Sequence, residues 1–351
     1  MRSGRKVPKP NKAGELALLE RIRARAARAS HPGVLLGIGD DCALLRPGPD
    51  EDLAVTTDLS IAGRHFRLDW HPPESVGHRT LARGLSDLAA MGARPVAAFL
   101  SLGLPSALVQ KAKEREPWLN RFLNGFLALA QAYQTPLAGG DLAESPVAVA
   151  DIVLTGAIQR GKALLRSGAR PGDLLYVTGT LGSSAAGLAR IVQLATALKK
   201  TPLPKRGAEL PRIPSRLRAL LAPHLYPRPR VAQGLSLVRH SLATAAIDLS
   251  DGFSTDLAHL CEESGVAAEV DAAALPIARA ATPAQALHGG EEYELLFTAS
   301  PAACVPSQLD GVRVTRIGRI LPAAAPAKSL VTLVTAKGTK PLPRSGWEHF
   351  S

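Results

Sequence analysis

Aspartate recurs in this sequence at one kind of place, the end of a predicted strand or a turn marked by glycine. Asp87 is the exception, because it falls within a predicted helix. A single aspartate at such a place is often only a turn former or a helix cap. The repetition is what indicates a functional site. The aspartates that follow strands or glycine turns are Asp40, Asp41, Asp58, Asp141, Asp248 and Asp251.

Carboxylates that are grouped in a partly buried site repel one another, and divalent cations are the usual remedy. Magnesium prefers a few hard oxygen ligands together with substrate phosphates and retained waters. Thr56, Thr57 and Ser250 place hydroxyl groups beside three of these carboxylates. The pattern therefore favours phosphoryl transfer, where positioning and charge neutralisation provide most of the catalysis.

The order of predicted elements indicates a mixed α+β protein with two domains. Residues 75–92 are predicted to form a helix that buries Leu81, Leu85 and Leu88, with Asp87 off that stripe and Gly92 as its stop. Ser254 is predicted to cap a later helix that ends at Gly265. The predicted units are a basic tail with a short helix at 1–30, an N-terminal domain at 31–160, and a C-terminal α/β domain at 161–351.

The formal net charge of +12 is concentrated in two segments. Residues 1–28 carry +7, and residues 199–230, which contain seven prolines, carry +8. We interpret 199–230 as a Pro-rich basic connector without regular structure. A solvated tail and an RNA-binding tail would both look like residues 1–28, and we favour the solvated one, so nucleic acid is not an expected partner.

Three scattered cysteines, Cys42, Cys261 and Cys304, show no zinc-site spacing and are typical of a reducing compartment. No apolar run is long enough to span a membrane, and we expect a cytoplasmic protein. A near match to the phosphate-binding P-loop begins at Gly156, but Ala163 stands where that motif needs a hydroxyl ligand for magnesium. We reject it.

Seven motifs follow in the order found in thiamine-monophosphate kinases, and over residues 33–350 the chain resembles that family. They begin with Gly37-Ile-Gly-Asp-Asp-Cys-Ala-Leu44 and Thr56-Thr-Asp58, the latter followed by Gly63-Arg-His-Phe66. Leu85-Ser-Asp-Leu-Ala-Ala-Met-Gly-Ala93 matches the third motif closely. The others are Gly139-Gly-Asp141, Arg166–Asp173, Ile247-Asp-Leu-Ser-Asp-Gly252 and Gly289-Gly-Glu-Glu-Tyr-Glu-Leu295, and Gly346-Trp347 resembles the family's ending.

The resemblance implies an aminoimidazole-ribonucleotide synthetase-like fold. In that fold, two chains form a homodimer whose N-terminal sheets join into a barrel, with the C-terminal α/β domain packed beside it. The resemblance thus implies that 31–160 is the metal-binding, ATP-binding and dimerisation domain. The implied reaction is direct in-line transfer from ATP to thiamine monophosphate, giving thiamine diphosphate with the help of several magnesium ions and no phosphoenzyme.

The resemblance also implies a role for each matching residue. Magnesium ligands would be Asp41, Thr56, Thr57, Asp58, Asp87, Asp141, Asp248 and Asp251. Contacts to ATP would come from Gly140, Asp141, Arg166 and Ser250. Contacts to the thiamine phosphate would come from His65, Glu291 and Trp347.

Three positions depart from the family pattern: Gly84 replaces a common Asn, Arg79 replaces a Lys, and Leu142 replaces a Thr. They affect expectations about nucleotide contacts more than the reaction class. Two alternatives stay open. One is a same-fold ATP-using enzyme with another acceptor, and the other is a non-catalytic protein that binds thiamine phosphates.

Overall fold

The computed structural model describes residues 22–26, 31–36, 44–110, 116–199, 215–323 and 329–347. Most of the predicted basic tail, Asp40, Asp41 and Cys42 lie outside the described residues. Residues 22–26 are helical, within the short helix expected there. A small hairpin follows, formed by β1 (Val34–Leu36) and β2 (Leu44–Leu45).

The N-terminal half is built on a four-stranded sheet with strand order β3-β6-β4-β5. β3 and β6 pair antiparallel along their whole length, whereas β4 and β5 are parallel. Helices pack on one face of the sheet. The strands are β3 (Glu51–Ile61), β4 (Arg94–Leu104), β5 (Leu137–Glu144) and β6 (Val149–Gln159), and the helices are α1 (Pro73–Met91), α2 (Ser106–Val109) and α3 (Trp118–Ala132).

Helix α1 matches the sequence prediction to within two residues at its start and one at its end. Proline at the first helical position fits its start. Gly92 adopts the left-handed conformation (φ 68°) that ends the helix. Leu81, Leu85 and Leu88 are buried, as predicted. α1 lies under β3 and carries Asp87 toward the space between the two halves of the molecule.

The C-terminal half contains a larger sheet whose central path runs β14-β13-β9-β12-β7-β10-β8, with β11 paired to β12. Its strands are β7 (Leu174–Thr178), β8 (Ala245–Asp248), β9 (Val266–Asp271), β10 (Leu295–Ala299), β11 (Gln308–Leu309), β12 (Val312–Pro322), β13 (Val331–Thr335) and β14 (Gly338–Pro341). The helices are α4 (Ser183–Lys199), α5 (Ser215–Leu225), α6 (Val231–Arg239), α7 (Phe253–Ser264) and α8 (Pro283–His288). The mixed α+β character is confirmed.

Helix α1 also joins the two halves, because it packs against α6 and β8 of the C-terminal half. The close α1–α6 crossing requires Gly234, since a Cβ there would clash with the carbonyl oxygen of Ala89. One buried cluster runs from α1 into the C-terminal sheet, where it includes Leu295 and Phe297.

Two local predictions are wrong. The connector at 199–230 contains helix α5, which has Pro223 inside it. Leu221 and Leu225 pack against Ile191 of α4, and this burial outweighs the proline signal. Ser254 does not cap α7. Its hydroxyl contacts His288 Nδ1 at 2.8 Å instead.

The division of the chain near residue 160 stays a prediction. The N-terminal sheet does not close on itself, since in the described residues β3 and β5 are its two edges. Among those residues, no helix combines the length and the apolar character needed to cross a membrane.

Candidate active site

A cleft of about 960 Å³ lies between the two halves. Its walls come from β3, the loop at 62–72, α1, α4 and the loops that follow β8 and precede β10. The structure therefore brings together most of the residues predicted for the site. The predicted residues that line this cleft are Thr57, Asp58, His65, Asp87, Asp248, Ser250, Asp251, Glu291 and Trp347.

Four carboxylates, those of Asp58, Asp87, Asp248 and Asp251, line the cleft, and the pKa values of the first three reflect burial and mutual repulsion. Burial and the charges of Asp248 and Asp58 raise the pKa of Asp87 to about 8. Burial raises the pKa of Asp248 to about 6, and Asp58 and Asp251 add to the effect. The pKa of Asp58 is raised by burial and by Asp251, against the attraction of Arg83. A cation would relieve this repulsion.

Hydroxyl groups hold two of these carboxylates in place. Thr56 Oγ1 on β3 donates a hydrogen bond to Asp87. Ser86 Oγ on α1 donates to Asp248 Oδ2 at 2.7 Å. Thr56 thus contacts the cluster without lining the cleft itself. These bonds fix the directions of the carboxylates before any ligand binds.

The turn that carries Asp251 is held by an aspartate that sequence reasoning missed. Asp256 Oδ2 accepts hydrogen bonds from the backbone N–H groups of Asp251 (3.1 Å) and Gly252 (3.0 Å) at the start of α7. Burial raises the pKa of Asp256 well above its ordinary value. The position of Asp256 in the first turn of a helix was the available signal.

The donor set fits magnesium by its chemistry, because it consists of hard carboxylate and hydroxyl oxygens. In the part of the chain that the structure describes, no three Asp, Glu, His or Cys side chains stand close enough to hold a metal ion. Magnesium characteristically completes its coordination with waters and substrate phosphates, so widely spaced carboxylates suit it.

Glu291 lines the cleft next to the loop that carries Ser250 and Asp251. Its Oε1 is ion-paired with Nη2 of Arg79, and its Oε2 lies 3.6 Å from Nδ1 of His224. The backbone at Glu291 is left-handed (φ 61°), and its N–H donates to the carbonyl oxygen of Ser250 at 2.7 Å. A strained backbone held by several contacts is common where a side chain must be presented to a ligand.

His65 and Trp347 also line the cleft. The backbone N–H of Ile61 donates to His65 Nδ1 at 3.0 Å, which leaves Nε2 of His65 as its proton-bearing nitrogen. The backbone N–H of Trp347 donates to the carbonyl oxygen of Asp251 at 2.9 Å, and Trp347 is half exposed. Trp347 is thereby held beside Asp251.

Gly140 and Asp141 are not brought into this cleft. They lie on β5, separated from β3 by β6 and β4. At about 4.8 Å per strand, β5 is about 14 Å from β3 across the sheet. Arg166, in a short 3₁₀ turn (Arg166–Gly168), stands near enough to lower the pKa of both Asp87 and Asp248.

The departures at positions 84 and 79 have physical explanations. Gly84 packs against the C-terminal half of β6, since a Cβ there would lie 2.8 Å from Cδ1 of buried Leu154. Arg79 is buried on α1 and also donates from Nη2 to the carbonyl oxygen of His65 at 3.2 Å. Leu142 is partly buried against the N-terminal core.

Sequence reasoning missed many of the residues that line the cleft, among them the ionisable side chains of Arg83, Tyr293, His71 and His224. Arg83 pairs with Asp58 at 3.3 Å, and its spacing of four residues before Asp87 was a usable signal. Tyr293 is buried, and burial raises its pKa. His71 and His224 contact each other across a sequence separation that no local pattern reveals.

Family models match two parts of the chain. Residues 39–158 match the AIR synthase related protein, N-terminal domain, and residues 170–326 match the AIR synthase related protein, C-terminal domain. The chain is also similar to the thiamine-monophosphate kinase of Salmonella typhimurium. The two are 41% identical over 293 residues, which cover 81% of this chain and 82% of that protein.

Solved structures give the same result. A crystal structure of thiamine-monophosphate kinase from Stenotrophomonas maltophilia is similar, with a TM-score of 0.71, 38% identity, and coverage of 91% of this chain and 96% of that one. The complex of AaThiL with AMPPCP and TMP is similar with a TM-score of 0.68, 28% identity, and coverage of 99% and 100%.

Proposed function

This chain belongs to the thiamine-monophosphate kinase family, and we propose that it transfers the γ-phosphoryl group of ATP to thiamine monophosphate. The observation that carries the proposal is the likeness, over nearly the whole chain, to a protein solved with AMPPCP and TMP. This chain has the two-domain α+β fold of AIR synthase related proteins. The products are thiamine diphosphate and ADP.

The reaction is a single in-line displacement. A phosphate oxygen of thiamine monophosphate attacks the γ-phosphorus of ATP, and the bond from that phosphorus to the β–γ bridging oxygen breaks. ADP leaves with the bridging oxygen. Positioning and charge stabilisation provide the catalysis, so no side chain needs to become phosphorylated.

Magnesium, when bound, would neutralise the charge between the two sets of phosphates. Its ligands are proposed to be the aspartates of the cleft together with neighbouring oxygen donors. Asp58, Asp87, Asp248 and Asp251 are supported by their place in one cleft, and the raised pKa values of Asp58, Asp87 and Asp248 reflect in part the charges of their neighbours. The remaining proposed ligands are Asp41, Thr56, Thr57 and Asp141.

The acceptor is proposed to bind in the part of the cleft that is lined by Glu291, His65 and Trp347. Glu291 offers a carboxylate to the cationic thiazolium ring, and the half-exposed Trp347 offers an aromatic face to it or to the pyrimidine. His65 Nε2–H can donate to the acceptor phosphate. These three contacts distinguish thiamine monophosphate from other phosphorylated acceptors.

ATP is proposed to contact Arg166 and Ser250 in the same chain and Gly140 and Asp141 in a second copy. Because β5 lies about 14 Å from β3 within one chain, a homodimer explains how Asp141 reaches a nucleotide. Leu53, Val55 and Leu59 are exposed on one face of β3, which supports burial against a partner. Two such sheets joined at their edges would form the barrel.

The proposal is tested by measuring product formation from ATP with thiamine monophosphate and thiamine supplied separately, each with and without magnesium. We expect thiamine diphosphate only from the monophosphate and only with magnesium. Turnover of another phosphorylated acceptor in place of thiamine monophosphate would favour the same-fold alternative. Binding of thiamine monophosphate without turnover would favour the non-catalytic one.

A further inference from the structure

Two buried histidines contact each other in the wall of the cleft and have no role in the function described so far. His71 ends the loop that begins after β3, and His224 lies near the C-terminus of α5. Their Nε2 atoms are 3.1 Å apart, which is a hydrogen-bond distance. His71 is 4% exposed and His224 is 2% exposed, so solvent does not replace this contact.

The partners of His71 determine which way the hydrogen bond runs. The backbone N–H of Arg67 donates to His71 Nδ1 at 3.1 Å. A neutral imidazole has one donor and one acceptor nitrogen, so the proton of His71 is on Nε2. His71 Nε2–H therefore donates to His224 Nε2, and the proton of His224 is on Nδ1.

The surroundings of His224 Nδ1 agree with this assignment. Ser184 Oγ is 3.2 Å from Nδ1, and the carboxylate oxygen Oε2 of Glu291 is 3.6 Å from it. His71 Nδ1 also lies 3.3 Å from the carbonyl oxygen of Arg67, a contact that would suit the opposite tautomer. That tautomer would turn a nitrogen lone pair of His224 toward a carboxylate, which is repulsive, so the first assignment holds.

The pair is kept neutral by its environment. Burial, followed by the charge of Arg79, lowers the pKa of His71 to about 3 and the pKa of His224 well below its ordinary value. Glu291 is the charged group that favours protonation, and it is already paired with Arg79. Adding a proton would also set two N–H donors against each other at the shared Nε2 contact.

We propose that His71 and His224 form a positioning relay that fixes the Glu291 carboxylate for binding of the cationic acceptor. Arg79 is ion-paired with one carboxylate oxygen of Glu291. The relay directs the Nδ1–H of His224 toward the other oxygen, which lies 3.6 Å away. The relay runs from the backbone of the 62–72 loop, through both imidazoles, to Glu291. It rests on the proposed function, because it assigns a role in binding that function's acceptor.

The test compares His71→Leu, which cannot donate, with His71→Gln, whose amide can donate to His224 Nε2. His78→Leu is the matched control. His78 is a neighbouring imidazole, mostly buried, that contacts the carbonyl oxygen of Pro227 at 2.7 Å and does not line the cleft. Each full-length variant is assayed for kcat and for KM toward thiamine monophosphate, and the His224 tautomer is read from imidazole ¹⁵N chemical shifts.

Loss of one buried hydrogen bond predicts that His71→Leu raises the KM for thiamine monophosphate about tenfold, with kcat changed by less than about threefold. The KM for ATP stays at the wild-type value. His71→Gln and His78→Leu keep a wild-type KM for the acceptor. In the NMR spectrum, His224 carries its proton on Nδ1 in the wild type and becomes a tautomer mixture in His71→Leu.

The relay is overturned if folded His71→Leu keeps the wild-type KM for thiamine monophosphate, or if wild-type His224 carries its proton on Nε2. A purely structural role is indicated instead if His71→Leu and His78→Leu lower thermal stability equally and leave both KM values unchanged, which also overturns it. A wild-type protein that binds no thiamine monophosphate overturns the proposed function, whereas wild-type turnover with an unaffected His71→Leu overturns the relay alone.

Discussion

Ser86 on helix α1 and Asp248 at the end of β8 are joined by a 2.7 Å hydrogen bond that crosses between the two halves of the molecule. Both residues are buried. The bond holds the side-chain carboxylate of Asp248, which belongs to the C-terminal half, next to Asp87. Asp87 lies one residue beyond Ser86. The carboxylate cluster is therefore assembled by the packing of α1 against β8, and its geometry depends on that interface.

Replacing Ser86 with Ala should lower the free energy of unfolding by about 1–2 kcal/mol at pH 8, because a buried carboxylate loses a donor. Ser86 lowers the pKa of Asp248 relative to a protein without the hydroxyl. By favouring the ionised carboxylate, the Ser86 hydroxyl adds to the free energy of unfolding at pH values above the folded pKa of Asp248, about 6. This contribution is lost as the pH falls through that value. The deficit should therefore shrink at pH 5 in urea denaturation.

Ser75→Ala is the control for Ser86→Ala. The Ser75 hydroxyl is buried on the same helix but donates to the neutral carbonyl oxygen of Pro72 at 2.8 Å. Its stability loss should be smaller and the same at both pH values. Equal, pH-independent losses in the two variants would contradict a bond to an ionised Asp248.

Asp87→Asn should stabilise the magnesium-free protein at pH 8.5 while removing activity. The folded pKa of Asp87 is raised from about 3.8 to about 8. Between these values the folded state holds a proton that the unfolded state has lost, so the free energy of unfolding falls as the pH rises through that window. Asparagine removes this penalty, and its carbonyl can still accept from Thr56.

The measurement is the melting temperature of wild type and Asp87→Asn at pH 5 and pH 8.5, with and without magnesium. Without magnesium, we expect the variant's advantage to be larger at pH 8.5 than at pH 5, and its magnesium-induced rise to be smaller than that of the wild type. Asp52→Asn, an exposed residue on β3 outside the cleft, should change none of these values. An identical magnesium response in wild type and Asp87→Asn would argue against Asp87 as a ligand.

Gly84→Ala should destabilise the protein by about 1–3 kcal/mol, because an added methyl group overpacks a filled core. The new Cβ would lie 2.8 Å from Cδ1 of Leu154, which is fully buried. Combining it with Leu154→Val should recover part of the loss, since the double variant has space where the clash occurred. Urea denaturation of the two single variants and the double variant measures the coupling, and strict additivity would contradict the clash.

The sequence was sufficient for features with a local cause. The apolar stripe and Gly92 predicted α1, and Asp248 does end β8 as predicted. The predicted strand end at Asp58 was wrong, because β3 continues to Ile61, but Asp58 and Asp248 do line one cleft. Contacts between distant segments left no local signal. The pairing of His71 with His224 depends on how α5 packs against α4, and α5 itself was hidden by its prolines.

The same limit applies to Asp141. Its preceding glycines predicted a turn, but Gly139 and Gly140 lie within β5. Nothing in the sequence says that β5 and β3 lie at opposite edges of the sheet. Strand order is set by tertiary pairing. For that reason the sequence predicted one group of aspartates, whereas a single chain brings only part of that group into the cleft.

Val55→Lys tests whether a second copy completes the site. Val55 is 58% exposed on β3, on the face opposite α1, with Leu53 and Leu59 exposed on the same side. If two sheets join there, a buried lysine charge without a partner should dissociate the dimer. Activity should fall with dissociation, because each cleft would lose the Asp141 of the other copy. Thr339→Lys, which adds the same charge to exposed β14, is the control.

Sedimentation velocity and kinase assays on the same samples report both quantities. We expect a wild-type dimer, a Thr339→Lys dimer with full activity, and a Val55→Lys monomer with little activity. Mixing inactive Asp87→Asn with inactive Asp141→Asn should restore part of the activity if the two residues act from different copies, since a mixed dimer has one intact cleft. A fully active Val55→Lys monomer would show that one chain supplies every residue the reaction needs.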